Sequence, residues 1–177
     1  MTTDSAHSYW NDQWTRTDAS AKWATPEAEV MAHAQTLPKS AKVLDLGAGI
    51  GRHALAFAAM GLDVAALDAA PESVAAIRRA ATAAGLMMDL RQGMMTELPF
   101  PDASFDLVYS SMFLHELPLK DIDAVFAEAD NQNPRKAECL ANEFSKVPEC
   151  TYGGSELGAI VVGDSHAAAL IRAVERS

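Results

Sequence analysis

The stretch "DLGAGIG", residues 45–51, sets Asp45 and three alternate glycines, Gly47, Gly49 and Gly51, between an apolar run and a helical one. A turn of this kind lets a ligand approach backbone that a side chain would block, and the helix after it offers free N–H groups to an anionic group. Asp68 closes the next apolar run, "LDVAALD", where a carboxylate can accept hydrogen bonds from both hydroxyls of a ribose. Glycine turns between strand and helix are common, so the acid after them is what gives the pair its meaning. The spacing departs from the dinucleotide pattern G-x-G-x-x-G, which asks for glycine where Arg52 stands.

Two further places could carry chemistry. In "YSSMFLHEL", Ser110, Ser111 and His115 follow an apolar run, and His115 could accept a proton from an attacking hydroxyl or amine. In "GAIVVGDSHAAAL" an apolar run delivers Ser165 into a Gly-Asp-Ser-His turn, a common way to display a nucleophilic serine. A serine nucleophile also needs a base and oxyanion donors, and His166, adjacent in sequence, does not supply the base by default, since neighbouring side chains point apart.

These residues need a frame. "KVLDLGAG" and "LDVAALD" read as strands, "GRHALAFAAMG" and "PESVAAIRRAATAAG" as helices, with Pro71 and Glu72 suited to a first turn and Gly85 to an end. A third strand is expected near "MMDLRQG", a fourth in "SFDLVYSSMFL" and a helix in "LKDIDAVFAEA". Ahead of them, a segment carrying Tyr9, Trp10, Trp14 and Trp23 and the helical pattern "PEAEVMAHAQTL", ended by Pro38, reads as a leading helical cap. The polar stretch after Ala129 lacks a period, and "GAIVVGDSHAAALIRAVERS" is expected to give one strand and one helix. The fold class expected is α/β, a Rossmann-like three-layer α/β/α arrangement with a mainly parallel sheet of about five strands.

The run "VLDLGAGIGRHALAFAAMGLDVAALDAAPESVAAIRRA", with "ELPFPDASFDLVYSSMFLHEL" further on, resembles a class I S-adenosylmethionine-dependent methyltransferase across residues 20–129. The resemblance implies that Asp45 and the loop of Gly47, Gly49 and Gly51 hold the amino-acid end of S-adenosylmethionine. It also puts the ribose at Asp68, and one face of the adenine at Ala69 with Met95 nearby. Catalysis would then be mainly in-line positioning of a small-molecule acceptor against the methyl group. Many relatives carry an acid in a "GD" step after the third strand. This chain reads "QGMM", so Met94 stands in that place and a hydrogen bond to the adenine amino group is lost. Met94 and Met95 can pack on the ring or fill the core.

"GAIVVGDSHAAALIRAV" resembles the first block of SGNH-type esterases and acyltransferases, which implies Ser165 as nucleophile and fits Cys139 and Cys150 ahead of it. That family's later blocks have no counterpart up to residue 177. The two resemblances divide the chain into residues 1–129 and 130–177, as in a fusion joined near 128–132. The alternative expectation is that the tail completes the first domain's sheet with a fifth strand and a final helix. Three functions follow in order: methyl transfer, an SGNH-type hydrolase or O-acyltransferase fragment around Ser165, and a cofactor-binding chain without catalysis.

Bulk properties narrow the classes. A chain of 177 residues, 49% hydrophobic and 21% charged, fits one ordinary domain. A net charge of −10 argues against sequence-independent attraction to nucleic acid. No apolar run approaches the roughly 20 residues that span a bilayer. The opening "MTTDSAHSYWNDQW" lacks a secretory pattern, so the expected location is cytoplasmic, with Cys139 and Cys150 as reduced thiols and no metal site.

Overall fold

The computed structural model describes residues 3–16, 23–111, 119–132, 157–163 and 170–175. Its sheet has six strands in the order β3-β2-β1-β4-β5-β6. The strands are β1 (Lys42–Leu46), β2 (Asp63–Asp68), β3 (Asp89–Gln92), β4 (Leu107–Ser111), β5 (Leu157–Gly163) and β6 (Leu170–Glu175). All neighbours pair in parallel except β5 and β6. Beyond their first residues β1 and β2 are buried throughout, as their unbroken apolar runs require of strands covered on both faces.

Alternation along each strand divides the core into two. Val43, Val64, Ala66, Leu107 and Tyr109 face one side, where Ala54 and Phe57 of α3 (Arg52–Ala59), Ile77 of α4 (Pro71–Ala84) and Val30 and Ala34 of α2 (Ala28–Ala34) cover them. Leu44, Leu46, Ala65, Leu67 and Val108 face the other, against Val125 and Ala129 of α5 (Leu119–Asn131). This gives the expected three layers. The remaining helix, α1 (Thr3–Arg16), lies against α4.

The chain steps outward from β1 to β2 and β3, then returns to the far side of β1 as β4. The reversal leaves a crevice at the carboxyl ends of β1 and β4, the place where open α/β sheets bind ligands. The glycine turn follows β1 directly and Asp68 ends β2, so the topology alone carries both signals to that edge.

Two expectations are corrected. The apolar end of the tail forms the strand β6, not a helix, and the sheet has six strands rather than about five. A short apolar run does not distinguish strand from helix by period. Only six residues separate β5 from β6, too few for a parallel crossover, so the pairing is antiparallel. The fifth strand does lie parallel beside β4, which makes the tail part of the same sheet. Helix α2 ends at Ala34, four residues before Pro38.

Gly51 has a packing duty. It sits in the left-handed region at φ 81°, at the N-terminus of α3, and a Cβ there would lie 2.7 Å from Cγ1 of Ile77 on α4. Gly61 has a similar φ of 84°, and a Cβ there would meet nothing within 4 Å among the described residues. Gly51→Ala is therefore expected to lower unfolding stability by about 2–5 kcal/mol, combining backbone strain with overpacking, whereas Gly61→Ala carries only the strain of about 1–2 kcal/mol. Chemical denaturation of the two variants measures the difference.

Candidate functional site

The loop after β1 is held by the strand beside it. Gly47 and Ala48 donate their backbone N–H groups to the carbonyl of Leu67 at 2.8 and 3.2 Å, and Gly49 N–H donates to Oδ2 of Asp68 at 2.8 Å. The other oxygen of Asp68 accepts Ala70 N–H at 2.8 Å. Each oxygen accepts one backbone donor, which leaves capacity for ligand hydroxyls. Gly49, at φ 56°, adopts a conformation in which a side chain is strained, and this turns its N–H toward Asp68.

An open cavity lies over this loop, walled by Asp45, Gly47, Ala48, Gly49, Ile50, Arg52, His53, Asp68, Ala69 and Tyr109, with Trp10, Trp14 and Trp23 closing it from the N-terminal segment. Register explains part of the set. Asp45 pairs with Tyr109 across β1 and β4, so both side chains stand on the α3 face of the sheet. Asp45 Oδ2 accepts Ala54 N–H at 3.1 Å, in the first turn of α3. His53 Nε2 accepts Glu27 N–H at 3.1 Å and lies 3.4 Å from the Tyr109 hydroxyl, while Arg52 pairs with Glu27 at 2.6 Å.

Asp45, Gly47, Gly49, Asp68 and Ala69 thus converge on one cavity. Gly51 stands behind them, between α3 and α4. Met95 is 5% exposed and its side chain packs among Leu44, Leu46 and Leu67 on the opposite face of the sheet, away from this cavity wall. His115, Ser165, His166, Cys139 and Cys150 lie outside the described residues. Ser110 is a structural group whose hydroxyl donates to the Leu46 carbonyl at 3.0 Å. The sequence reading passed over Tyr109, His53 and Arg52. Counting alternation from Asp45 through the paired strand would have selected Tyr109, and the i, i+4 spacing of Trp10 and Trp14 marks one helix face.

Electrostatics set the site apart. Asp45 is 2% exposed, and burial, reinforced by the nearby charge of Asp68, pushes its carboxyl up to about 7 against the pull of Ala54 N–H and Arg52. Burial also raises Asp68, opposed by the N–H groups of Ala70 and Gly49 and by the Ser73 hydroxyl. His53 is depressed to about 3 by burial and by Arg52, so its ring is neutral. A carboxyl raised on folding costs stability as pH climbs from its unfolded value, near 4, through its folded one. A histidine depressed on folding contributes in the opposite sense below about 6.5, so wild type alone shows a muted profile. Asp45→Asn isolates the carboxyl. Relative to wild type it should gain stability between pH 4 and 7, on the order of 3 kcal/mol, and level off above pH 7. Denaturant midpoints at pH 4.5 and pH 8 check this; a difference independent of pH would refute it.

Comparison with known proteins bears on the whole arrangement. Residues 43–132 match the family described as methyltransferase domain, a stretch that runs from β1 past the end of α5. The uncharacterized methyltransferase sll0829 of Synechocystis sp. (strain PCC 6803) is 33% identical over 86 residues, 49% of this chain and 39% of that protein. The uncharacterized methyltransferase YcgJ of Bacillus subtilis is 40% identical over 68 residues, 38% of this chain and 27% of that one. The chain therefore aligns with well under half of either relative. The crystal structure of YcgJ superposes with a TM-score of 0.56 at 24% identity, covering 76% of this chain and 48% of that one. A SAM-dependent methyltransferase from Aquifex aeolicus gives a TM-score of 0.61 at 16% identity, covering 86% and 71%. The family match ends at residue 132 and lends nothing to the SGNH-type resemblance of the tail. By that match, which takes in half of its length and every described wall residue from Asp45 to Tyr109, the chain belongs to the methyltransferase domain family.

Proposed function

We propose that the chain binds S-adenosylmethionine in the cavity at the β1 and β2 ends and transfers its methyl group to a small-molecule acceptor. The observation that carries this is the buried Asp68 carboxylate, fixed by Gly49 N–H beside a glycine loop that lines the cavity. The residues fit the cofactor in kind. Asp68 supplies oxygens for a diol, and Gly47, Ala48 and Gly49 form a concave backbone surface for the amino-acid end. Ala69 offers a small apolar wall for a base. Two raised carboxyls favour a ligand that brings positive charge, because a cation nearby offsets the cost of ionising them.

When bound, S-adenosylmethionine supplies a sulfonium whose methyl group is already electrophilic. The protein's own task is then to orient an acceptor and exclude water. Trp10, Trp14, Trp23 and Tyr109 also wall the cavity, and their faces suit a compact acceptor with apolar or planar surface. His53 is neutral and its Nε2 lone pair already accepts Glu27 N–H, so it does not serve as a base. His115 stands as the candidate base, following β4 in the chain. Met94 takes the place of the acid that many relatives present to the adenine, so base selectivity should be weak. The acidic composition and the two cysteines fit a cytoplasmic setting.

Calorimetric titration with S-adenosylhomocysteine tests the reading. Asp68→Ala is expected to weaken binding at least about 100-fold, the equivalent of roughly 3 kcal/mol for hydrogen bonds to a charged group, with the fold checked by circular dichroism. Unchanged affinity in a folded variant would remove the basis for this site.

A further inference from the structure

The bare face of Gly49 is covered in this structure by the chain's own first helix. A Cβ built on Gly49 would lie 3.0 Å from Cζ2 of Trp14 and 3.4 Å from Cη2, so the indole stands in the space that the absent side chain leaves. The same glycine belongs to the loop on which the amino-acid end of the cofactor would rest. Trp14 is backed by Trp10, stacked at 5.2 Å between ring centroids and 24° between planes, and Trp23 meets both rings edge-on. The three indoles form one aromatic block within the cavity wall.

This block is not at rest energetically. Among the described residues, the buried indole N–H of Trp10 meets no hydrogen-bond partner. An orphaned buried donor is a cost that an arrangement carries only while nothing better is available. One bond that ties α1 to α4 runs through Asn11, whose Oδ1 accepts Glu72 N–H at 3.2 Å in the first turn of α4. Aromatic packing on Gly49 thus competes with any ligand for the loop.

We propose that Trp14 is an internal competitor for the cofactor, holding the Gly49 face in the unliganded chain and leaving it, together with α1, when S-adenosylmethionine binds. The inference rests on the cofactor reading given above. Its consequence is that observed affinity is lower than the intrinsic affinity of the loop, by the fraction of molecules in which Trp14 has moved away. The same displacement frees the Trp10 N–H to meet an acceptor atom of ligand or water.

The test is stopped-flow binding of S-adenosylhomocysteine followed by intrinsic tryptophan fluorescence, paired with calorimetry, on the full chain. In wild type the fluorescence should change on binding, and the observed rate should reach a ceiling as ligand concentration rises. Trp14→Ala should bind tighter by roughly 5- to 150-fold, the usual range of coupling between two states, and its rate should climb without that ceiling. Asn11→Ala, which leaves the indoles in place and removes the tether to α4, should shift rate and affinity the same way, and covers the case in which Trp14→Ala disturbs folding. Binding that is equal or weaker in both variants, with wild type still binding and Asp68→Ala still impaired, would overturn the competitor role and leave the cofactor site standing. No calorimetric binding in wild type or either variant would overturn both.

Discussion

The hydrogen bond from Gly49 N–H to the Asp68 carboxylate, 2.8 Å long and buried, is the constraint on which the rest of the site depends. It joins residues 19 apart in sequence, and it forms only if β1 and β2 are parallel neighbours in the observed register, so that the turn leaving one strand meets the end of the other. A carboxylate that is 8% exposed must find donors, and the loop supplies them from backbone. The loop in turn takes its shape from that acceptor and from the Leu67 carbonyl, which receives Gly47 and Ala48. The cradle is therefore a product of the fold's first β-α-β unit and not of the loop's glycines alone.

The same burial stores a cost. The charge of Asp68 adds to the difficulty of ionising Asp45, and the arginine that offsets this, Arg52, also pairs with Glu27. A structure optimised for stability alone would not keep two such carboxyls at one sheet edge. A ligand carrying positive charge and hydroxyl donors recovers that cost on binding, which links the electrostatics to the cofactor without appeal to any relative. The aromatic block continues the theme: Trp10, Trp14 and Trp23 wall the cavity, Trp14 packs on Gly49, and among the described residues the buried Trp10 N–H meets no hydrogen-bond partner.

Much of this was legible in the sequence, and the reasons are specific. Strands β1, β2 and β4 are apolar runs bounded by turn residues, and α3, α4 and α5 follow them with clear helical periods, so alternation dictated a parallel sheet with helices on both faces. Gly47, Gly49 and Asp68, marked by spacing, and Asp45 and Ala69, which the resemblance implied, line one cavity. Gly51 shares that spacing and packs against Ile77, while Met95, which only the resemblance placed near the adenine, packs beside Leu67. Tyr109 was hidden among the apolar residues of a buried strand, and only its pairing with Asp45 reveals its side. The strand β6 was read as helix because six apolar and charged residues fit either period, and the choice was made by the short connection to β5.

A crystal structure of the chain with S-adenosylhomocysteine measures the central claim most directly. The account predicts both ribose hydroxyls within hydrogen-bonding distance of Asp68, the amino-acid end against Gly47 and Gly49, and Trp14 moved off Gly49. A ligand bound away from Asp68, or seated with the Gly49 face still covered by Trp14, would contradict it.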